Sequence, residues 1–362
     1  MQQPNQSCIA YVGSRTTERR HGHGKGISVY RVSRRPLRWD LVQTFAGPPN
    51  PSYLAVDDAA TCLYAVEGDG TCVRSFSLAT DGSVRAETGC VPSGGVNPVH
   101  LTLIGSTGRL VIANHNSGTL GIVRLAEDGA VESLESTRTL RRPTPQYASA
   151  QSHPHQVVLD DVQRVLFVPD KGLDCVFKYR VDLASSVIDQ HPVSIAESRP
   201  GSGPRHVVSR PETSRMYVIN ELDATISTYK TGANGACDEQ LASFPATPQR
   251  HSAERITGAE IVFVRSPDRL YVSTRGSNAI ATCVINPDSG IAEPRAWQPS
   301  GGDCPRHMAI DPWGDQLYVA NERSDCIVNI PLDMSSLHST VAEVIRVPTG
   351  SPVCVVFSTL DR

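Results

Sequence analysis

The chain has 362 residues, of which 39% are hydrophobic and 20% charged, a balance that lets a globular protein bury a sizeable core. Its net charge of -3 argues against nucleic acid as the main partner, and no stretch approaches the ~18 apolar residues of a membrane helix. Ten cysteines with no CxxC pair among them argue against a zinc site.

Residues 1–7 are polar, and the apolar run 8–12 is too brief for a secretory leader. Cysteines such as Cys175 and Cys326 sit inside apolar strand-like runs, where a reduced thiol acts as a small hydrophobe. A cytoplasmic location is therefore expected. CIAYVG (8–13) and GISVYRV (26–32) read as strands, but nothing ahead of them carries the proline-led strand that opens every later unit. NPSYLAV…LYAVE from Asn50 is the first complete unit: a proline in a turn, a short apolar strand, a polar turn, then a second strand. It recurs as NPVHLTL…LVIAN from Asn97, HPHQVVL…LFVPD from His153 and GPRHVVS…MYVINE from Gly203. GAEIVF…LYVSTRG from Gly258 and CPRHMAI…LYVANE from Cys304 follow.

From the proline to the second position of the second strand is 13 residues in five units, as from Pro51 to Tyr64 or Pro204 to Tyr217. In the remaining unit, from Gly258, Ala259 takes the proline slot and Tyr271 follows at 12. Alternating third strands come next, such as TCVRSFSL (71–78), DCVFKYRV (174–181) and ATISTYKT (224–231). The polar, proline-containing stretches 126–152 and 232–256 read as loops or outer strands. A last unit opens at Pro352 with GSPVCVVF, and the sequence ends at Arg362 without a second strand. The two ends complete one another. Unit starts 46 to 56 residues apart match four-stranded propeller blades. The expectation is one all-β domain over 1–362, a seven-bladed β-propeller closed by pairing of its N- and C-terminal strands.

In such a blade the first strand lies innermost and the second returns antiparallel to it. The residue after the proline (the inner slot) and the residue four past the tyrosine position (the rim slot) then share one face of the disc. Around the ring the inner slots are Ser52, Val99, His155, Arg205, Glu260, Arg306 and Val353. The rim slots are Arg15, Gly68, His115, Lys171, Glu221, Arg275 and Glu322. A purely structural repeat has no reason to load one arc with His, Arg and Glu, because burying such groups costs energy unless they are paired or serve a ligand. A ligand site at the channel mouth is expected.

The motifs HPHQ, PDKGLDCV, GSGPRH, YVINEL, YVSTRG and IDPWGDQLYVANE, with YVG and GISVY near the start, run the length of the chain. Together they resemble the lactonase family of seven-bladed propellers, which includes bacterial 6-phosphogluconolactonases and fungal 3-carboxy-cis,cis-muconate lactonizing enzymes. GSGPRH followed by YVINEL is the most specific pair. The resemblance implies an active site of one His, two Arg and one Glu, matching His155, Arg205, Glu221 and Arg275 here. All four fall on the ring slots. Gln156 and Lys171 depart from the commoner family residues, which bears on substrate rather than fold.

Lactone hydrolysis needs a base to activate water and positive groups for the oxyanion or for an anionic substituent. Either Glu221 or His155 is a candidate base, and Arg205 and Arg275 suit bidentate anion binding. His153, Lys171, His206, Glu260, Arg306 and His307 are expected to contact the substrate, with no metal and no cofactor. The same residues would serve a cycloisomerase that forms or opens a (carboxy)muconolactone. A non-catalytic propeller that binds a protein partner is the third reading. The expected partner is a small lactone or carboxylate, and the expected assembly a monomer or weak homo-oligomer. Structural roles compete at each position: His155 as a turn cap, Arg205 and Glu221 as an inter-strand ion pair, Arg306 and His307 as inherited repeat sequence. His21 and His23 read as part of a solvated loop, and GHGKG lacks the spacing of a phosphate loop.

Overall fold

The computed structural model describes residues 7–105, 108–232, 238–247, 255–265, 268–332, 337 and 344–359. Their strands form seven antiparallel sheets, one per sequence unit. Blade four is representative, with Pro204–Arg210 innermost, then Arg215–Asn220, Thr225–Thr231 and Asp238–Pro245. The stretches read as loops or outer strands do supply outer strands, Val131–Thr139 and Asp238–Pro245. In the seventh blade the C-terminal strand Pro352–Thr359 is innermost and pairs with Ser7–Ser14, followed by Ile27–Ser33 and Arg38–Phe45. The ring closes as the sequence requires. Among the described residues no helix is long and apolar enough to cross a membrane.

Second strands are apolar throughout because both of their faces are buried. In LYAV, Leu63 and Ala65 pack in the seam with blade seven. Tyr64 and Val66, pointing the other way, pack in the seam with blade two. The same division recurs in blade four, where Met216 and Val218 face blade three and Tyr217 and Ile219 face blade five. Among the described residues there is one apolar seam for each pair of neighbouring blades and no common core, so the axis is left to the inner-slot side chains. Nine of the ten cysteines are free thiols; Cys237 lies outside the described residues.

Five of the innermost strands begin with the same irregularity. The pairing register slips by one between Pro51 and Tyr53, Pro98 and His100, Pro204 and His206, and Pro305 and His307. Val353 is likewise passed over opposite Gly13 and Ser14. The inner-slot residue is thus a β-bulge, which leaves it unpaired and re-aims its side chain. Ahead of the proline the backbone turns through positive φ at Asn50, Asn97, Gly203, Cys304 and Ser351. Proline then contributes no N–H to leave unsatisfied at the bend. Blade three differs: its innermost strand is only Val158–Asp160, and Pro154 makes an isolated bridge to Asp170.

Candidate active site at the channel mouth

All seven inner-slot residues line one narrow well on the axis, joined by Tyr53, His206 and His307. The free space among them is about 10 Å³, room for one water. The rim slots stand above this well because each blade ties its two slots together. The backbone N–H groups of Arg15, Gly68, His115, Lys171, Glu221 and Glu322 donate to the carbonyls of Ser351, Asn50, Asn97, His153, Gly203 and Cys304, the residues ahead of each proline slot. Charged residues on both slots therefore converge on one opening.

Two buried aspartates and one glycine shape the motifs around it. Asp170 of PDKG accepts the N–H groups of His153 (2.8 Å), Gly172 (2.9 Å) and Leu173 (3.0 Å), pinning HPHQ to the next turn. These bonds replace the ladder that blade three lacks at this point. Asp174 accepts from Gly201 (2.8 Å) and Gly203 (2.9 Å), setting the GSGPRH loop. Gly203 has φ +65, and a Cβ there would lie 2.5 Å from Leu222 Cγ and 3.0 Å from Lys171 Cγ. Glycine at this positive φ leaves Lys171 the room to reach Glu221.

The geometry centres on Glu221. Its carboxylate accepts from Lys171 Nζ at 3.1 Å and Arg205 Nε at 3.1 Å, with an Arg275 terminal nitrogen at 3.4 Å. Burial alone would raise its pKa, but Arg275, Arg205 and Lys171 together hold the carboxyl far below its usual range. Arg205, 2% exposed, also donates to the Ala259 carbonyl, and burial with Arg275 nearby pushes its pKa down to about 9. Arg275 donates to the Gly258 carbonyl at 3.0 Å, while its buried Nε has no partner.

His155 is 6% exposed, and its Nδ1 makes no hydrogen bond. The turn-cap alternative for that nitrogen therefore fails. Burial, then Arg205 and His206, keep the ring's pKa well below 6.5, so it is neutral with a bare nitrogen.

The remaining predicted residues divide. Glu260, Arg306 and Lys171 stand at the well or its rim. His153 packs on the rim-slot His115: its Nδ1 meets the His115 carbonyl at 2.8 Å and its ring stacks on that of His115. His206 and His307 line the well but belong to a structural ring that sequence reading missed. Beyond each bulge, the innermost strand would leave N–H groups bare along the axis, and a side chain two residues past the proline slot of the preceding blade covers one of them. Cys354 Sγ accepts Leu54 N–H at 3.4 Å, Gln156 Oε1 accepts Val207 N–H at 2.7 Å, and His307 Nδ1 accepts Val355 N–H at 3.3 Å. His206 reaches the next blade through Glu260, whose Oε1 lies 2.6 Å from His206 Nδ1 and accepts Ile261 N–H at 3.1 Å. His100, also missed, holds the equivalent position in blade two, fully buried beside Tyr53. The signal was available: the residue after each inner slot reads Tyr53, His100, Gln156, His206, Ile261, His307 and Cys354, polar in most blades.

The buried histidines of the ring, with His155 beside them, make stability depend on pH. Burial is the first cause that depresses His100, His155, His206 and His307, the last down to about 4 from 6.5. Below pH 6.5 the unfolded chain binds protons that the folded chain refuses, so stability falls with pH, by up to ~1.4 kcal/mol per unit for each ring. Glu260, raised by burial, offsets part of this. Thermal melting should drop steeply between about pH 6.5 and 4.5; a flat profile there would contradict the neutral histidine ring.

A larger cleft of about 660 Å³ lies beside residues 139–152. Its buried Arg142 is engaged by the carbonyls of Leu173 and Asp174 and by Glu197, and it holds no acid–base pair.

The family described as "Lactonase, 7-bladed beta-propeller" matches residues 9–357. The chain belongs to it. This lactonase-family chain is 28% identical over 337 residues to a 6-phosphogluconolactonase of Formosa agariphila, covering 90% of this chain and 93% of that one. It is 23% identical over 354 residues to a 6-phosphogluconolactonase of Bacillus subtilis, covering 96% and 98%. Among solved structures, a periplasmic gluconolactonase of Pseudomonas aeruginosa matches with a TM-score of 0.85 and 23% identity over 98% of this chain and 100% of that one. At that identity the likeness concerns the fold alone. Since the fold occurs in a periplasmic protein, it does not fix the cytoplasmic location expected from sequence.

Proposed function

We propose that the chain hydrolyses the ring ester of a small sugar-acid lactone at the channel mouth, with His155 as the base. One observation carries the reading: a buried neutral imidazole with a bare Nδ1 stands beside Arg205, and a single carboxylate holds Arg205 and Arg275 together. The sequence left His155 and Glu221 open as bases. Glu221 is held as a carboxylate by three cations, which suits anchoring better than proton abstraction. The relatives' names support a sugar-acid lactone and hydrolysis, and give the cycloisomerase reading no support.

The lactone lies over the well with its carbonyl oxygen toward Arg205 and Arg275. His155 takes a proton from water as the water oxygen bonds to the carbonyl carbon. The oxyanion forms against the two guanidiniums, which carry the charge without reorganising. The tetrahedral centre collapses, the ring C–O bond breaks, and the imidazolium returns its proton to the leaving oxygen. The product acid then ionises and releases a proton to solvent. The oxyanion's charge offsets Arg205 and so eases one of the causes that depress His155, while burial keeps its basicity below the ordinary range.

A pH-stat assay over glucono-δ-lactone and 6-phosphoglucono-δ-lactone, beside a muconate absorbance assay, tests this. Proton release well above the spontaneous rate is expected for at least one lactone. No acceleration with either, or turnover of muconate alone, would overturn the reading.

A further inference from the structure

The two rim carboxylates are not equivalent. Glu221 meets three cations on one side of the mouth. On the other side Glu322 faces two, Arg15 Nε at 3.7 Å and an Arg306 terminal nitrogen at 3.4 Å. Arg15 is the rim-slot residue of the closing blade and is 2% exposed, yet its Nε and one terminal nitrogen have no hydrogen-bond partner. Burial and then the Arg306 cation push its pKa down to about 9. A buried guanidinium left this bare is costly in a purely structural role.

Its surroundings aim it at the mouth. The neighbouring rim slot is Gly68, where a Cβ would lie 2.4 Å from the Arg15 terminal nitrogen and 2.7 Å from Ser52 Oγ. Ser52 lines the well, and its buried hydroxyl also lacks a partner. The loop over 19–25, RRHGHGK, backs the arginine. Cβ atoms at Gly22 and Gly24 would lie 2.5 Å and 2.7 Å from the Arg15 carbonyl oxygen, and Arg20 is engaged by Asp69 at 2.6 Å. Arg20 is thus neutralised, and the charge deficit stays with Arg15 and Arg306.

We infer that Arg15, Arg306 and Ser52, on blades seven, six and one, form a second anion subsite that takes the charged group at the far end of the substrate. That group is a phosphate monoester or a carboxylate on the carbon farthest from the lactone carbonyl. The inference rests on the reading that the mouth takes a sugar acid, and it adds which end of that acid faces which arc. Arg205 and Arg275 meet the reacting carbonyl, while Arg15 and Arg306 meet the distal anion.

Titration calorimetry of the full chain with gluconate, 6-phosphogluconate and glucarate tests it. The wild type should bind 6-phosphogluconate or glucarate at least ten-fold tighter than gluconate; whichever is preferred identifies the distal group. Arg15→Gln should reduce that preference to under three-fold. Glu322→Gln, which removes the competing carboxylate, should increase it, a direction that a merely structural role does not give. If Arg15→Gln does not fold, Glu322→Gln decides alone. A wild type that binds all three alike or not at all, a preference that survives Arg15→Gln, or one that Glu322→Gln leaves unchanged or weakens would overturn the subsite. Binding is read without turnover, so an Arg15-dependent preference in a protein that hydrolyses no lactone would sink the hydrolase reading and leave the subsite standing.

Discussion

Replacing His155 by glutamine should lower kcat for lactone hydrolysis by about 10²–10⁴-fold, the usual contribution of a positioned base. The backbone is expected to hold, because the contact that seats this residue is its own N–H to the Pro169 carbonyl at 3.0 Å, which any side chain retains. Binding of the product acid should change little, since Arg205, Arg275 and Lys171 remain. The expected signature is a fall in kcat with KM nearly unchanged and a melting temperature close to wild type. A variant that keeps wild-type kcat would remove His155 from the chemistry. The wild-type kcat/KM should show no titration near pH 6.5, because burial and Arg205 displace the free enzyme's imidazole well below that value.

Arg275→Ala should cost about 10²–10³-fold in kcat, the range for losing one preorganised oxyanion donor. Of the two arginines on Glu221 this one can be removed with less damage to the fold. Its side chain is 17% exposed, against 3% for Arg205, so truncation leaves a smaller buried deficit. The Gly258 carbonyl loses a donor, but Glu221 keeps Lys171 and Arg205. Arg275→Lys should recover only part of the rate, because lysine supplies a charge without the planar fork. Full recovery with lysine would show that charge alone is needed; no loss in the alanine variant would exclude Arg275 from oxyanion binding. Single-turnover kinetics beside thermal melting separates these outcomes.

Much of this was legible in the chain itself, for a geometric reason. A repeat that begins with proline and reaches its tyrosine position 12 or 13 residues later fixes where each innermost strand starts. Equivalent positions in a closed ring must then meet at the axis. That is why His155, Arg205, Glu221 and Arg275, scattered over 121 residues of sequence, were readable as one site. The bulge that turns the inner slot toward the axis was not readable, because it is a slip in pairing between strands rather than a property of either strand. Nor was the purpose of His206 and His307. Both imidazoles line the well, and His307 also covers the N–H of Val355 while His206 reaches Ile261 through Glu260. Arg15 stood in the rim list from the start; its significance lay in the hydrogen bonds it lacks, and those depend on the loop that folds over it.

The central claim is that the channel mouth binds a sugar acid with its reacting carboxyl end against Arg205 and Arg275. A crystal structure of the protein with 6-phosphogluconate or gluconate tests it most directly. The account predicts the product carboxylate within hydrogen-bond distance of both guanidiniums and one water's reach from His155 Nδ1. An acid bound instead in the cleft beside residues 139–152, with the mouth holding water alone, would contradict it.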